Sequence, residues 1–225
     1  MGHAVNLAKK LYLPSGVSAA LPSPLAYYKF NDGSGTVALD SSGNGFNGTL
    51  VNAPLWVPGK FGTGLQFNGT TNYVSVTSPA LQIVGEVTYA CWFNAAGLIG
   101  ESDIIDHGNF GYTFWYSAAN AGISFIQQSA TVAVFAPFPT ANAWHHLVGT
   151  YRAGNFSIYL DGLLSATYAL VPAISYAGSP PLTIGAGIAP NSDGFFNGII
   201  DEVRIYNVAL SRAQVAKLFK LVPSP

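Results

Sequence analysis

From Ala26 onward the chain alternates apolar and polar positions in short runs broken by Gly, Asn, Ser and Pro. Period-two alternation over four to eight residues marks strands with one buried face. It predicts strands at Ala26–Phe30, Gly64–Phe67, Tyr73–Val76, Val87–Asn94, Tyr112–Tyr116, Gly122–Gln127, Trp144–Arg152, Asn155–Leu160, Leu163–Leu170, Leu182–Ile184 and Ile199–Tyr206. Asn68-Gly69 reads as a hairpin turn between its two flanking strands. Ser117–Ala121 and Ala153-Gly154 read as two further hairpin connections. One stretch breaks the period: Ser211 with Gln214 three residues later forms a capping box, and Val215, Leu218 and Phe219 then share a helical face. The pattern predicts an all-β sandwich of two antiparallel sheets with one short C-terminal helix packed against it.

Residues 1–24 lack this alternation and contain Pro14, Pro22 and Pro24. They read as an N-terminal arm, followed by one domain over residues 25–222. An ordered arm must bury its apolar side chains to offset the backbone entropy of ordering, roughly 1 kcal/mol per residue. We therefore expect it to engage other protein subunits.

Charge sharpens the picture. Only 8% of the 225 residues are charged, against a usual share of roughly a quarter. No Lys or Arg lies between Phe61 and Tyr151, while Glu86, Glu101, Asp103 and Asp106 fall in that interval. The absence of a basic stripe argues against nucleic-acid binding. No apolar run is long enough to cross a bilayer, so membrane insertion is not expected. Leu11-Tyr12-Leu13 is cut short by Pro14, so no clear signal peptide is read. The single cysteine, Cys91, precludes an internal disulfide and reads as a buried thiol. His145 and His146 are adjacent, so a strand sends them to opposite faces, which does not suit zinc.

The run from His107 to Tyr116 is dense in rings. Its alternation places Tyr112, Phe114 and Tyr116 on one strand face and Trp115 on the other. Sugar rings stack on aromatic faces while their hydroxyls need polar partners. Asn109, Tyr112, Trp115, Asn120 and Gln127 are therefore the candidate glycan-binding residues.

Three phrases carry a family resemblance. They are Tyr28-Lys29-Phe30-Asn31-Asp32-Gly33-Ser34-Gly35 with Asp40-Ser41-Ser42-Gly43-Asn44-Gly45, Trp144–Tyr151 with Tyr159-Leu160-Asp161-Gly162, and Phe196–Asn207 with Ala209-Leu210-Ser211. In order and spacing they resemble a laminin G-like jelly roll of the concanavalin A-like lectin/glucanase superfamily. The resemblance implies that the first and last strands are neighbours. It also implies a structural calcium near Asp32, Asp40 and Asp201, with Gly-rich turns supplying carbonyl oxygens. Glucanases of the superfamily carry their carboxylates in a run like Glu101-Ser102-Asp103-Ile104-Ile105-Asp106. Glu101 and Asp103 share a strand face, and Asp106 joins them only if a bulge intervenes.

The fold class leaves function open. The expected function is a non-catalytic, lectin-like surface module that binds a glycan or surface polysaccharide. The low charge, the arm and the missing signal peptide suggest a phage virion structural protein, such as a capsid decoration, tail or fibre component, at a virion surface or in an extracellular setting. The alternatives are a glycoside hydrolase using Glu101, Asp103 and Asp106, and a secreted carbohydrate-binding module.

Overall fold

The structure, a computed structural model, describes residues 20–97, 100–108, 111–117, 122–127, 134–169, 174–187 and 194–223. Its strands in chain order begin with β1 (Ala26–Tyr28), β2 (Val37–Ala38), β3 (Gly48–Val51), β4 (Leu55–Pro58), β5 (Thr63–Asn68) and β6 (Tyr73–Val76). The middle of the chain forms β7 (Val87–Ala95), β8 (Glu101–Asp106), β9 (Tyr112–Ser117), β10 (Gly122–Gln127) and β11 (Val134–Pro137). The last strands are β12 (His145–Arg152), β13 (Asn155–Leu160), β14 (Leu163–Ala169), β15 (Leu182–Ile184) and β16 (Asn197–Tyr206), followed by helix α1 (Arg212–Phe219).

These strands form two antiparallel sheets, a jelly-roll sandwich. The first runs β14-β13-β12-β7-β16-β5-β4, with β1 also paired to β16. The second runs β11-β10-β9-β8-β15-β6-β3-β2. The first and last strands are neighbours, as the resemblance implied: Ala26 faces Ile205 and Tyr28 faces Val203. Strand β16 changes partner along its length, pairing with β5 through Ile200 and with β1 from Val203. A bulge between Asp201 and Arg204 marks the hand-over, and Glu202 takes φ 56° there.

The core between the sheets is aromatic. Tyr89, Tyr112, Phe114, Phe125 and Phe156 are wholly or almost wholly buried and meet edge-on or tilted, or stacked for Tyr112 on Phe125, at 5.2–6.3 Å. Burying one such ring contributes roughly 1.5–3 kcal/mol. Gly149 lets β12 approach this cluster, since a Cβ there would lie 2.2 Å from the Phe125 ring.

The two hairpins β9–β10 and β12–β13 form as the alternation predicts. Asn68-Gly69 does not make a hairpin. Strand β5 belongs to the first sheet and β6 to the second, so the turn is a corner between layers. The Asn68 side chain holds it, accepting N–H bonds from Thr70 (2.9 Å) and Thr71 (3.0 Å). Ser211 and Gln214 form the capping box of α1. The helix buries Val215 and Leu218 against the outer face of the first sheet, and Phe219 stacks on Trp92 with centroids 5.5 Å apart.

Candidate functional site

Strand β9 divides its residues as the alternation requires. Tyr112, Phe114 and Tyr116 enter the core, and Thr113 and Trp115 face outward from the second sheet. Trp115 is flanked by Asp103 on β8 and Ser124 on β10, and Ser124 in turn faces Phe135 on β11. Ser124 is small and turns its hydroxyl onto the Trp115 carbonyl (2.9 Å). The rings of Trp115 and Phe135 therefore meet across it, 6.1 Å apart, and both remain partly exposed. A second row on the same face runs Thr49, Ser75, Thr183, Asp106, Thr113.

The carboxylate run reaches this face through a bulge between Asp103 and Ile105. Two consecutive side chains, Ile104 and Ile105, enter the core, and Asp106 returns to the side of Asp103. Asp103 and Asp106 are 4% and 0% exposed, whereas Glu101 is exposed. Asp106 accepts a bond from the Thr113 hydroxyl at 2.5 Å. Asp103 sits between Gly187 and Gly194, where a Cβ on either glycine would lie within 2.6 Å of its Oδ2, and its Oδ1 is buried without a partner. Burial pushes its pKa well above the carboxylate range, and the charges of Asp106 and Glu101 add to the shift. Nearby, burial pushes His107 down to about 4 against a backbone hydrogen bond at Pro180. Of the three carboxyls, only Glu101 is open to a large substrate.

Tyr112, a candidate glycan residue, is instead core. It is fully buried, stacks on Phe125 at 5.9 Å and donates its hydroxyl to the Gly85 carbonyl at 2.9 Å. Gln127 ends β10. Asn109 and Asn120 lie outside the described residues. Phe135 was missed, because residues 131–138 read as one apolar stretch with no distinct alternation.

The three aspartates named for calcium are each engaged by donors. Asp40 accepts from the N–H groups of Tyr27 (2.9 Å), Ser42 (2.9 Å) and Phe46 (3.0 Å), and from the Ser42 hydroxyl (2.8 Å). Burial acts to raise its pKa, but these donors outweigh it and hold the carboxyl below its usual value. Asp32 accepts from Leu39 N–H at 3.3 Å. Asp201, on the outer face of the first sheet, accepts from Phe61 N–H at 3.0 Å and leaves Oδ1 buried and unpartnered. Burial, with help from Glu202, pushes it up to about 7 against the Phe61 bond. Among the described residues no three His, Cys, Asp or Glu side chains come together to hold a metal ion. Asp40 spends its carboxylate lone pairs on four donors, whereas Asp201 keeps a buried oxygen without a partner.

No helix among the described residues is long and apolar enough to cross a membrane. No curated protein sequence matches the chain. Among solved structures, it is similar to the binding domain of botulinum neurotoxin serotype D/C (TM-score 0.67, 16% identity, 88% of this chain and 52% of that one). The binding domain of Paraclostridial Mosquitocidal Protein 1 is comparable (0.69, 15%, 88% and 52%). This chain thus spans about half the length of the toxin binding domains. Domain 4 of AbnA, a GH43 extracellular arabinanase from Geobacillus stearothermophilus solved with arabinotriose, is matched almost end to end (0.66, 19%, 87% and 98%). At these identities the likeness shows the fold. The laminin G-like family model of the concanavalin A-like lectin/glucanase superfamily matches residues 68–216. The chain therefore belongs to the laminin G-like branch of the concanavalin A-like lectin/glucanase superfamily.

Proposed function

We propose that this domain is a non-catalytic, lectin-like module that takes a saccharide on the outer face of its second sheet. The observation that carries the reading is the Trp115–Phe135 pair, held 6.1 Å apart over Ser124 and partly exposed. An exposed aromatic pair in a polar sheet face offers a platform for the apolar face of a sugar ring. Glu101 stands exposed at the near end of β8 as a hydroxyl acceptor. Closure of Asp103 and Asp106 supports binding over hydrolysis, because a glycosidase needs two carboxyls flanking the bond it cleaves. Two of the similar structures point the same way: AbnA domain 4 was solved with arabinotriose, and a botulinum neurotoxin DC binding domain in complex with SialylT. Titration calorimetry against arabinan and other neutral polysaccharides tests the site. Trp115→Ala should abolish the heat of binding. Equal binding by the variant, or release of reducing ends lost in Glu101→Gln, overturns the proposal.

The same reading extends to assembly at a virion or cell surface, with residues 1–24 joining the domain to other subunits. The root of that segment is fastened to the fold, which supports a defined exit point. Gln214 donates its amide to the Ala20 carbonyl (2.8 Å), Leu25 N–H bonds to the Ile205 carbonyl (2.7 Å), and Leu21 packs on the cluster of Tyr206 and Leu218. Residues 1–19 lie outside the described residues. The full chain should assemble into an oligomer, and removal of residues 1–19 should leave a folded domain that stays monomeric; unchanged assembly would refute the role.

A further inference from the structure

Charge is segregated between the two sheets. No strand of the second sheet carries Lys or Arg; its charges are Glu101, Asp103 and Asp106. The cations of the described residues belong to the first sheet, its flanking turns and α1. Arg212, Lys217 and Lys220 are all exposed on the helix and its C-cap, within an arc of roughly 140° at about 100° per residue. Among the described residues no carboxylate forms an ion pair with any of the three.

Beside the helix lies a groove of about 360 Å³, within the roughly 300–1,000 Å³ range of small-ligand pockets. Its walls include Pro22 and Pro24 from the N-terminal segment and Pro223 from the tail that follows Lys220. Tyr27, Tyr206, Lys29 and Arg204 line it as well, and Leu21, Leu221 and Val222 complete an otherwise apolar wall. Arg204 is recessed and preorganised. Its guanidinium lies 4.1 Å over the Tyr27 ring and donates to the Tyr27 hydroxyl (2.6 Å) and to Glu202 (2.5 Å). Glu202, which accepts from both Arg204 and Tyr27, is fully buried.

We infer that this groove and the adjoining face of α1 form a second saccharide site, one that binds a carboxylated sugar within an acidic polysaccharide. The uronate carboxylate would meet Lys29 and Arg204, and the ring would lie against tyrosine and proline faces. Neighbouring acidic residues of the polymer would follow Arg212, Lys217 and Lys220. A bilayer headgroup layer fits less well, because Arg204 is 4% exposed within a concave site where a flat surface does not reach. The inference is independent of the neutral-sugar site on the second sheet, since the two lie on opposite outer faces.

The test is titration of the whole domain with oligogalacturonate and with its methyl ester. Cosedimentation with vesicles of equal parts phosphatidylserine and phosphatidylcholine runs alongside. Oligogalacturonate should bind with an affinity that falls as salt rises, and the methyl ester should not bind. Lys29→Gln and Lys220→Gln should each weaken binding, the first by about tenfold, as expected for losing one charged contact. Trp115→Ala should bind oligogalacturonate as the parent does. Binding of the ester, indifference to both lysine changes, loss in Trp115→Ala, or binding to vesicles without binding to oligogalacturonate would each overturn the assignment.

Discussion

The outer face of the first sheet is roofed by α1, whereas on that of the second Gly187 and Gly194 close over Asp103 and leave Trp115 and Phe135 partly exposed. Val148, Tyr159, Tyr206 and Leu210 meet Val215 and Leu218 of the helix in a second apolar cluster apart from the main core. On the other side, Thr183, Asp106 and Thr113 lie buried in a polar row. Each sheet nonetheless carries a buried histidine and a buried aspartate with opposed shifts. On the first sheet, His146 and Asp201 both pair with Trp92, from β12 and β16. Burial, with the Arg204 charge, pushes His146 down to about 3, and burial pushes Asp201 up to about 7. On the second sheet, His107 is pushed down and Asp103 up. A desolvated face penalises charge of either sign, so bases lose and acids gain protons on opposite sides of neutrality. The bulges differ in sense as well. In β8 the extra residue goes inward as Ile104 and Ile105; in β16 Asp201 and Glu202 stay outward between the core residues Ile200 and Val203.

The sharpest way to break the comparison is to lift the helix from the first sheet. Leu218→Ala should cost about 3 kcal/mol through the lost contact and the cavity it leaves. Urea unfolding measures this. A loss below 1 kcal/mol, in the same units, would mean that α1 rests on the sheet without stabilising it.

Acid titration tests the paired shifts. His146 stays uncharged in the fold, so its contribution is lost as pH falls from about 6.5 toward 3. Asp201 stays protonated in the fold up to about 7, so its contribution grows as pH falls from 7 toward 3.8. The two slopes oppose, and parent stability should vary little between pH 4 and 6.5. Asp201→Asn keeps an oxygen for Phe61 N–H but removes the titration. It should expose a loss of about 1.4 kcal/mol per pH unit below 6.5, or about 3 kcal/mol over two units. A flat profile in this variant would show that His146 is not held neutral.

Asp40 sharpens the contrast between a hydrogen-bonded anion and the neutral acids of the two faces. Asp40→Asn should cost about 2 kcal/mol, since an amide N–H would point at existing donors. Excess chelator should leave the parent melting temperature unchanged. A melting temperature that falls on chelation would place a metal at these loops.

The smallest effect is expected at the exposed platform. Trp115→Ala, at a partly exposed site, should cost about 1 kcal/mol while saccharide binding is lost. A large fall in stability, measured by thermal unfolding, would reassign Trp115 to structure.

Strands β7, β9, β10, β12, β13 and β16 were legible because alternation and turn residues act over a few positions, and the capping box of α1 is equally local. The split of Tyr112, Phe114 and Tyr116 from Trp115 was legible for the same reason. Which set faced the core was not, because burial depends on the opposite sheet. The bulges of β8 and β16 arise from register against neighbours far along the chain, so the return of Asp106 to the side of Asp103 could be stated only as a condition. Asn68-Gly69 has the composition of a hairpin turn, and only the assignment of β5 and β6 to different sheets makes it a corner. Asp40 and Asp201 share a carboxyl group, yet four donors on one and burial of the other set them apart. Phe135 meets Trp115 solely because Ser124 stands between them in the sheet. Local chemistry in the chain determined most of the strands, the helix cap and the two-layer fold; long-range pairing and burial decided the remaining strands, which side chains face outward, which are charged, and which can meet a ligand.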